Sequence, residues 1–337
     1  MDSMPAVLLS SSRDISLVGH PIPRCGPDQV IVDVDLCGIC GSDLHAPALP
    51  QVYLGGVVMG HEAVGRISRV GEAVLDWQVG QRVALNPNGN VDGTCPQCLA
   101  GRVNFCRQAT LETALGLQAD GGLAPQVAVF PGTLRALPES MDRLAAAWVE
   151  PTATALHAVD LAGDLAGRSV LVTGGGPIGQ LALRIAHARG ADRLLLVEPS
   201  PARQAHGWAS GADAVWGVEE AARLVEDLAV DVVVEASGSA GGSALGLDAL
   251  APRGTFVVVG AGEGNLLDAA TILLKEIVVR GSFTYVDEFD EAIDLLARGS
   301  VAVDDLAAAV VPIADALAAF DVLRDAATMK VLVDPRG

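Results

Sequence analysis

Hydrophobic positions in the first 148 residues come in short runs that alternate with polar positions. These runs are rich in β-branched residues, and Gly or Pro separates one run from the next. Alternation with a period of two is typical of a strand with one buried face, and frequent turns are typical of antiparallel connections. The pattern predicts strands at 30–36, 63–71, 82–85 and 124–130, and a barrel-like antiparallel domain at 1–152.

The hydrophobic pattern changes after Glu150 and Pro151. Continuous Val and Leu runs at 169–174, 193–198, 230–238 and 255–260 are predicted strands, and the stretches at 152–163, 177–190, 201–211 and 243–254 are predicted helices. Uninterrupted apolar strands that alternate with helices are typical of a parallel sheet covered on both faces. We therefore predict an α/β chain whose second domain, 153–283, contains a doubly wound parallel sheet.

The last part of the chain departs from this alternation. A helix is predicted at 288–298 and a closing strand at 329–333, and we interpret 284–337 as returning to the first domain. The apolar stretch 277–283 is the expected last strand of the parallel sheet. Because an edge strand with unpaired backbone groups invites pairing with another subunit, a homodimer or homotetramer is expected.

Composition narrows the class of protein. The 337 residues suffice for two cores, and 50% hydrophobic with 19% charged residues is typical of a globular chain. No apolar run reaches the length of about 18 residues that a transmembrane helix needs, and the first residues lack the pattern of a signal peptide. We expect a cytoplasmic protein with no membrane partner.

The charge balance argues against a further class of partner. The chain has 22 Lys and Arg against 41 Asp and Glu, a formal net charge of −19. Proteins that bind DNA or RNA use a surface rich in Lys and Arg. We therefore expect no nucleic-acid partner, and the small-molecule partner follows from the resemblance given below.

The stretch 37–62 contains side chains typical of a metal site. In order, it carries Cys37, Cys40, Ser42, Asp43, His45, His61 and Glu62. Zn²⁺ binds thiolate, imidazole and carboxylate ligands, and a catalytic zinc keeps one position open. An isolated pair of cysteines at this spacing is more often a pair of packed thiols, so the interpretation as a metal site depends on the motifs that follow.

A second group of potential ligands lies in one loop. Asp92, Cys95, Cys98 and Cys106 have the spacing D-x2-C-x2-C-x7-C, which is typical of a structural zinc site. Because no export signal is present, metal or reduced thiols are expected in place of disulfides. The alternative is a loop with three free cysteines, and Asp92 is the less usual ligand of the four.

Three glycines follow the predicted strand 169–174. Gly174, Gly176 and Gly179 form G-x-G-x-x-G, with Pro177 and Ile178 inside the motif at the start of the next helix. The first glycine permits a tight turn, the second lets a pyrophosphate approach the backbone, and the third lets helix and strand pack closely. Free N–H groups at the helix N-terminus complete a predicted dinucleotide site.

The choice of dinucleotide depends on the residues after the next strand. Glu198 ends that strand, about 20 residues after the glycine motif, where a carboxylate accepts ribose hydroxyls. The same carboxylate repels a 2′-phosphate, so NAD is predicted in preference to NADP. Arg203 would soften this preference if it faced the cofactor, and the alternative for Arg203 is a solvated charge on a helix.

In this order, the motifs resemble those of the zinc-dependent medium-chain dehydrogenases, the alcohol and polyol dehydrogenase superfamily. The similar segments are CGICGSDLH, GHE, LAGRVNFC, EPTATALHAV, VTGGGPIGQLA and KEIVVRGSFTY, which span nearly the whole chain. The resemblance implies a GroES-like catalytic domain and a Rossmann NAD-binding domain. It also implies two zinc ions per chain, one catalytic and one structural.

The resemblance implies a set of catalytic zinc ligands. Cys40 and His61 match two ligands of the family, and either Glu150 or Glu62 matches the third, with exchange between the two carboxylates. Glu150 stands where the classical alcohol dehydrogenases have cysteine. The Glu-Pro pair that begins there is similar to the branch that acts on polyols, vicinal diols and hydroxy-amines.

The resemblance also assigns the side chains around the ligands. Asp43 is expected to hold the far nitrogen of His61, and Ser42 and His45 match the hydroxyl and imidazole of the family's proton relay. Two residues depart from the family: Asp92 replaces the usual first cysteine of the structural lobe, and Thr284 replaces a basic residue that often precedes the tyrosine of the F-x-Y signature.

The implied reaction is reversible hydride transfer between a polar secondary alcohol (a polyol, cyclitol, diol or amino alcohol) and NAD. One alternative is a biosynthetic ketone reductase of the same family. Two others come from different classes: a catalytically silent binding protein on this scaffold, and a zinc ribbon at 92–106 that binds nucleic acid. The lobe around that ribbon carries only two basic residues, Arg102 and Arg107.

Overall fold

The computed structural model of the chain describes residues 2–262, 267–306 and 309–337. The strands are β1 (Ser3–Leu9), β2 (Ile15–Pro21), β3 (Val30–Gly38), β4 (Val57–Val58), β5 (Glu62–Val70), β6 (Arg82–Leu85), β7 (Gln126–Val129), β8 (Leu134–Ala136), β9 (Ser169–Thr173), β10 (Arg193–Val197), β11 (Ala214–Trp216), β12 (Val230–Glu235), β13 (Leu250–Val258), β14 (Val278–Gly281), β15 (Ala309–Pro312) and β16 (Val331–Asp334). The α-helices are α1 (Pro96–Leu99), α2 (Arg143–Ala146), α3 (Val149–Asp160), α4 (Pro177–Ala188), α5 (Pro201–Ala209), α6 (Val218–Leu228), α7 (Ala240–Ala249), α8 (Ala269–Lys275), α9 (Glu288–Ala297) and α10 (Ala316–Val322). Short 3₁₀ segments are Gly41–Ala48, Val103–Phe105, Pro131–Thr133, Asp304–Leu306 and Ile313–Asp315, and Gln108–Glu112 is a π-helical turn.

The first compact unit is rich in β-strands and comprises Met1–Glu150, Phe289–Ala297 and Ala307–Gly337. Among its described residues, the larger sheet has the strand order β15-β16-β3-β5-β6-β8, with β7 paired to β3, and β2-β1-β4 form a smaller sheet. All of these pairs are antiparallel except β15 with β16. Strands from the end of the chain therefore complete a sheet that the first 150 residues begin.

The second compact unit comprises Pro151–Glu288 and Arg298–Leu306. Its described strands form one parallel sheet in the order β11-β10-β9-β12-β13-β14. The chain reverses its direction of winding between β9 and β12, which is the switch point at which such sheets bind dinucleotides. Buried side chains such as Leu171, Leu195, Val233 and Phe256 form its core.

The predicted helix 243–254 was wrong at its C-terminal end. α7 ends at Ala249, and β13 begins at Leu250 instead of at residue 255. The register between β12 and β13 shifts between Val230 and Val232, because four residues of β13 bulge out of the ladder there. Arg253 in this bulge has a φ of 64°. Polar and turn-forming residues in the bulge interrupt the hydrophobic pattern of the strand.

Several elements had no counterpart in the prediction. β11 has three residues and α8 has seven, and the longer α6 is mostly exposed to solvent. Among the described residues, no helix combines the length and the hydrophobicity needed to cross a bilayer.

Candidate metal and cofactor sites

The turn after β3 positions Cys40 and Asp43. β3 ends at Gly38, and the 3₁₀ segment Gly41–Ala48 begins directly after Cys40. The Cys40 N–H donates to Asp43 Oδ2 at 2.9 Å, and the Asp43 N–H donates to the Cys40 carbonyl at 3.1 Å. This reciprocal pair caps the segment and fixes the thiol relative to the carboxylate.

Pairing of β3 with β5 brings two further groups to the same place. Glu62 is the first residue of β5 and lies opposite Gly38, with His61 immediately before it. A Cβ at Gly38 would lie only 2.0 Å from Glu62 Oε2. A larger residue at 38 would therefore displace the carboxylate, and the glycine is required by this close approach.

Cys40, His61 and Glu62 form a compact set of donors. One ligand atom from each lies within 4.8 Å of the others, and His61 and Glu62 are buried. A tetrahedral zinc with bonds of about 2.0–2.3 Å holds its donors about 3.4–3.8 Å apart, so a small contraction would bring these atoms onto the metal. Thiolate, imidazole and carboxylate are also the ligand types that zinc takes together. The residues fit a zinc ion.

Asp43 supports the imidazole of this set. Its Oδ1 lies 3.5 Å from His61 Nδ1, and its side chain is wholly buried. Burial alone would raise the pKa of Asp43, but attraction to His61 and the hydrogen bond from the Cys40 N–H hold it below its usual value. Burial also opposes protonation of His61, yet Asp43 keeps its pKa well above the usual range. The carboxylate therefore stays charged and faces the imidazole Nδ1 at 3.5 Å.

A buried lysine completes the cluster, and the sequence reasoning missed it. Lys330 is 3% exposed, forms an ion pair with Glu62, and has its Nζ 5.7 Å from the centre of the Trp148 ring. Burial lowers the pKa of Lys330, but the negative groups around it, Glu62 first, outweigh that and raise it. The only sequence signal was a cation next to the apolar run of β16.

Glu150 lies beside this cluster at the start of α3. Burial raises its pKa to about 7, Glu62 adds to the shift, and the positive charges of His61 and Lys330 oppose it. Its carboxylate is not in the set of atoms that lie within 4.8 Å of one another, which contains Glu62 instead. Of the two predicted carboxylate ligands, Glu62 is the one gathered with Cys40 and His61 here, and Glu150 stands within electrostatic range.

The two residues of the predicted proton relay lie in the 3₁₀ segment Gly41–Ala48. Ser42 is half-buried, and its Oγ accepts a hydrogen bond of 2.9 Å from the Tyr53 hydroxyl. His45 is exposed to solvent. The hydrogen bond between Tyr53 and Ser42 is a contact that sequence reasoning did not find.

The second predicted ligand set is also assembled. Ligand atoms of Asp92, Cys95, Cys98 and Cys106 lie within 4.8 Å of one another. Cys95 caps the short helix α1, which presents Cys98, and the 3₁₀ turn Val103–Phe105 leads to Cys106. The four donors therefore come from one loop and two turns, and three thiols with a carboxylate fit a structural zinc.

Backbone groups polarise this second set. Asp92 Oδ1 accepts the N–H groups of Thr94 and Cys95, both at 2.7 Å, which lowers the pKa of Asp92 to about 2. Burial and the contact with Cys95 raise the pKa of Cys98 to about 12. Burial also acts to raise the pKa of Cys106. Backbone N–H donors, of which that of Asp92 is the most effective, outweigh burial and lower this pKa. These N–H groups therefore favour the thiolate form of Cys106.

The glycine motif has the geometry of a dinucleotide turn. Gly174 has a φ of +94°, and a Cβ there would lie 2.6 Å from the Ser237 backbone. A Cβ at Gly179 would lie 1.9 Å from the Gly174 carbonyl oxygen, so helix α4 packs closely on β9 only because this residue is glycine. A Cβ at Gly176 would have Arg203 Nη1 at 3.7 Å as its nearest neighbour, so the space beside this glycine is open.

The predicted helix start also lies at this turn. Gly176 is the N-cap of α4, Pro177 is its first residue, and Ile178 follows in the first turn. Proline at the first helical position leaves the neighbouring N–H groups available. These features fit a pyrophosphate placed against the start of α4.

Glu198 and Arg203 both lie beside the glycine turn. Glu198 is 3% exposed, its Oε2 accepts the Gly175 N–H at 2.6 Å, and its Oε1 accepts the Ser200 N–H at 2.7 Å. The Arg203 guanidinium faces Gly176, as the Cβ distance given above shows. The carboxylate is thus fixed in place, and a cation stands close to the position that the phosphates would occupy.

Comparison with known proteins agrees with this arrangement. The family described as alcohol dehydrogenase GroES-like domain matches residues 26–139, and the family described as zinc-binding dehydrogenase matches residues 177–298. D-xylulose reductase A of Aspergillus oryzae is 32% identical over 343 residues, which cover 97% of this chain and 95% of that protein.

Solved structures give the same result. A zinc-binding dehydrogenase of Sinorhizobium meliloti with bound NADP superposes with a TM-score of 0.92 and 34% identity, over 99% of this chain and 100% of that one. 2R,3R-butanediol dehydrogenase of Bacillus subtilis gives 0.84 and 29%, over 99% and 100%. L-idonate 5-dehydrogenase of Escherichia coli gives 0.86 and 28%, over 98% of each chain.

These comparisons confirm the family resemblance and the predicted fold class, a GroES-like domain with a Rossmann-type parallel sheet. They also confirm that the chain is an oxidoreductase that uses zinc and a nicotinamide cofactor. The chain belongs to the zinc-dependent medium-chain dehydrogenases, in the branch that contains the polyol dehydrogenases.

Proposed function

We propose that this protein oxidises a secondary hydroxyl of a polyol or vicinal diol, with transfer of hydride to NAD, and catalyses the reverse reduction. The observation that carries the proposal is the buried set of Cys40, His61 and Glu62 beside Lys330. A purely structural zinc would have all of its positions filled by protein side chains, whereas three donors leave a position for substrate.

The proposed catalytic zinc would be held by Cys40, His61 and Glu62, and Glu150 is the carboxylate that could exchange with Glu62. A zinc ion in such a site lowers the pKa of an alcohol or water oxygen by several units, so no strong base is needed to remove the proton. Asp43 keeps the His61 ring oriented, and Lys330 balances the charge of Glu62. A switch of ligand from Glu62 to Glu150 would leave Glu62 paired with this cation.

A polar substrate suits the side chains around this site. Two carboxylates, a hydroxyl and an imidazole offer hydrogen bonds to a second hydroxyl of the substrate, and a site with such groups disfavours purely apolar alcohols because its polar atoms would lose their partners. Relatives named as D-xylulose reductase, L-idonate 5-dehydrogenase and butanediol dehydrogenase support the same substrate class.

Ser42 and His45 are the proposed route for the hydroxyl proton. Ser42 Oγ accepts the proton of the substrate alcohol and passes on its own. His45 is exposed, so its imidazole can exchange a proton with solvent. The nicotinamide itself supplies the redox chemistry of hydride transfer.

NAD is the proposed cofactor. Gly174, Gly176, Pro177, Ile178 and Gly179 would hold the pyrophosphate, and the buried Glu198 carboxylate would accept the hydroxyls of the adenosine ribose. A 2′-phosphate would approach this negative charge, which favours NAD. Arg203 faces the same turn and reduces the preference, and the Sinorhizobium meliloti relative contains NADP.

We also propose a second zinc, which would be held by Asp92, Cys95, Cys98 and Cys106. We further propose that the protein forms an oligomer through β14. Among the described residues β14 is at the edge of the parallel sheet, and it exposes Val278 and Val279. Antiparallel pairing of two β14 strands around a twofold axis would cover these groups in a dimer.

The six free cysteines suit a reducing compartment, so we place the protein in the cytoplasm.

The same site also serves a ketone reductase, because direction is set by the supply of cofactor and substrate. A catalytically silent protein on this scaffold is not supported. Such a protein would not need the metal donors Cys40, His61 and Glu62, or the Lys330 that balances the charge of Glu62.

A screen of substrates tests the proposal. The purified protein is mixed with NAD⁺ or NADP⁺ and with sugar alcohols, vicinal diols, cyclitols and amino alcohols, and formation of the reduced nicotinamide is followed by absorbance. We expect turnover with at least one polyol or diol, faster with NAD⁺, and loss of turnover after zinc is chelated. Turnover that survives complete removal of zinc would exclude the proposed site, and activity restricted to simple apolar alcohols would exclude the substrate class.

A further inference from the structure

Tyr53 occupies an unusual position between the relay hydroxyl and the support of the metal ligand. Its side chain is wholly buried. Its hydroxyl lies 2.9 Å from Ser42 Oγ and 3.1 Å from Asp43 Oδ1. One phenol therefore touches both the predicted proton acceptor and the carboxylate that orients His61.

The backbone around Tyr53 is held firmly. The Tyr53 N–H donates to the Leu49 carbonyl at 2.9 Å. Arg13 donates to three carbonyls of the same segment: that of Tyr53 at 2.7 Å, that of Pro47 at 3.2 Å, and that of Ala46. The phenol therefore approaches Ser42 from an anchored position and not from a free loop.

The number of hydrogens limits what the phenol can do. Tyr53 has one hydroxyl hydrogen, so it donates to Ser42 or to Asp43 but not fully to both. Burial and the nearby charge of Asp43 raise the pKa of Tyr53, so the phenol keeps this hydrogen at neutral pH. Asp43 also accepts the Cys40 N–H at 2.9 Å, so it keeps a partner when Tyr53 turns to Ser42.

We propose that Tyr53 is a positioning residue that fixes the orientation of the Ser42 hydroxyl and connects it to the Asp43 carboxylate. Donation from Tyr53 occupies one lone pair of Ser42 Oγ, so the hydrogen of Ser42 points away from the phenol. Without this bond the Ser42 side chain would distribute among its staggered χ1 rotamers, and its hydroxyl hydrogen would have no fixed direction. The inference rests on the proposed function, which gives Ser42 its part in proton transfer.

The proton balance leaves Tyr53 unchanged. The substrate hydroxyl gives its proton to Ser42 Oγ, and Ser42 releases its own proton to the next acceptor. When the phenol donates to Asp43, Ser42 Oγ has a free lone pair to accept, and when it donates to Ser42, the released proton is directed outward. Hydride transfer from the carbinol carbon would be supplied by the nicotinamide and would not involve the phenol, so Tyr53 gains and loses nothing.

The first test is a structural measurement that does not need turnover. High-resolution crystal structures of the wild-type protein and of Tyr53→Phe are compared, with zinc content measured on both. We expect one Ser42 rotamer in the wild-type protein and several in the variant, with zinc content unchanged. A single, unmoved Ser42 rotamer in Tyr53→Phe would overturn the proposal.

The second test is a double-mutant cycle on turnover. Tyr53→Phe keeps the buried ring, and we expect kcat to fall about tenfold with a change in KM of less than about twofold, together with a larger solvent deuterium isotope effect on kcat. In the Ser42→Ala background the same substitution should have no further effect, because Tyr53 acts through Ser42. Additive effects would show that Tyr53 acts by another route.

Thr133→Val is the matched control. It removes another buried hydroxyl of the same unit, whose Oγ1 donates to the Phe130 carbonyl at 2.7 Å. We expect loss of stability without a change in the solvent isotope effect. Failure of the proposed function would be seen differently, as an absence of polyol turnover in the wild-type protein, and the rotamer measurement would still decide the role of Tyr53.

Discussion

The two sets of metal donors in this chain are built in different ways. Asp92, Cys95, Cys98 and Cys106 come from one loop, and backbone N–H groups and solvent stabilise their charges. Cys40, His61 and Glu62 are brought together by pairing of β3 with β5, and a lysine from the last part of the chain balances them. In the proposed zinc-bound protein, the metal would stabilise the loop set, whereas strand pairing positions Cys40, His61 and Glu62 independently of the metal.

A matched pair of cysteine substitutions tests this difference with the largest expected effects. We expect Cys40→Ser to reduce kcat by at least about 10³-fold while the thermal unfolding temperature changes little, because the fold holds the remaining donors in place. We expect Cys98→Ser to lose one zinc and much of the stability of its loop, since structural zinc contributes about 10–16 kcal/mol of binding free energy. Zinc content, kcat and thermal unfolding are measured on both variants.

A specific pattern would contradict the comparison. If Cys40→Ser unfolded the protein and Cys98→Ser abolished turnover in a fully folded protein, the roles of the two sets would be reversed. Activity of Cys98→Ser is measured at a temperature at which circular dichroism shows it to be folded.

Removal of the buried cation is the next effect in size. We expect Lys330→Met to destabilise the zinc-free protein by about 3 kcal/mol, because Glu62 is left as an uncompensated buried charge. The loss should be smaller in the zinc-loaded protein, where the metal compensates the same carboxylate. Chemical denaturation with and without zinc measures the difference.

Arg66→Met is the control for this prediction. Arg66 pairs with Glu139 at 2.8 Å, but both side chains are exposed, so its loss should cost less than about 1 kcal/mol. Equal losses for Lys330→Met and Arg66→Met would show that the buried pair has no special role.

The smallest expected effect is a dependence of stability on pH. The pKa of Glu150 is raised from 4.5 to about 7 in the folded zinc-free protein. Between these values the folded chain binds more protons at Glu150 than the unfolded chain, so stability from this group falls as pH rises from about 4.5 to 7. Glu150→Gln should flatten this slope in thermal unfolding of the zinc-free protein. An unchanged slope would place the titrating group elsewhere.

The sequence predicted the local features best. The loop set and the glycine turn were readable because all of their residues lie within a short stretch, and their spacing reflects the geometry they form. The parallel strands were readable because Val and Leu runs such as that of β12 are buried on both faces. The bulge at 251–254 was not, since its polar residues look like the end of a helix.

The residues that were missed are those that act across long separations. Lys330 is 268 positions beyond Glu62, and nothing in its neighbours indicates an ionic partner. Tyr53 stands between motifs, and its contact with Ser42 depends on how Arg13 holds the intervening turn. Hydrophobic patterns specify which face of a strand is buried, but they do not specify which distant polar group will contact a given polar side chain on that strand.

The pairing of β16 with β3 has a consequence for synthesis of the protein on the ribosome. The parallel-sheet unit is encoded almost without interruption, so its chain is complete before the β-rich unit has received its final strand. Glu62 therefore lacks its positively charged partner until Lys330 has been synthesised and has emerged from the ribosome. We expect the nucleotide-binding half to resist protease first, and the metal-binding half to become resistant only after β16 has emerged.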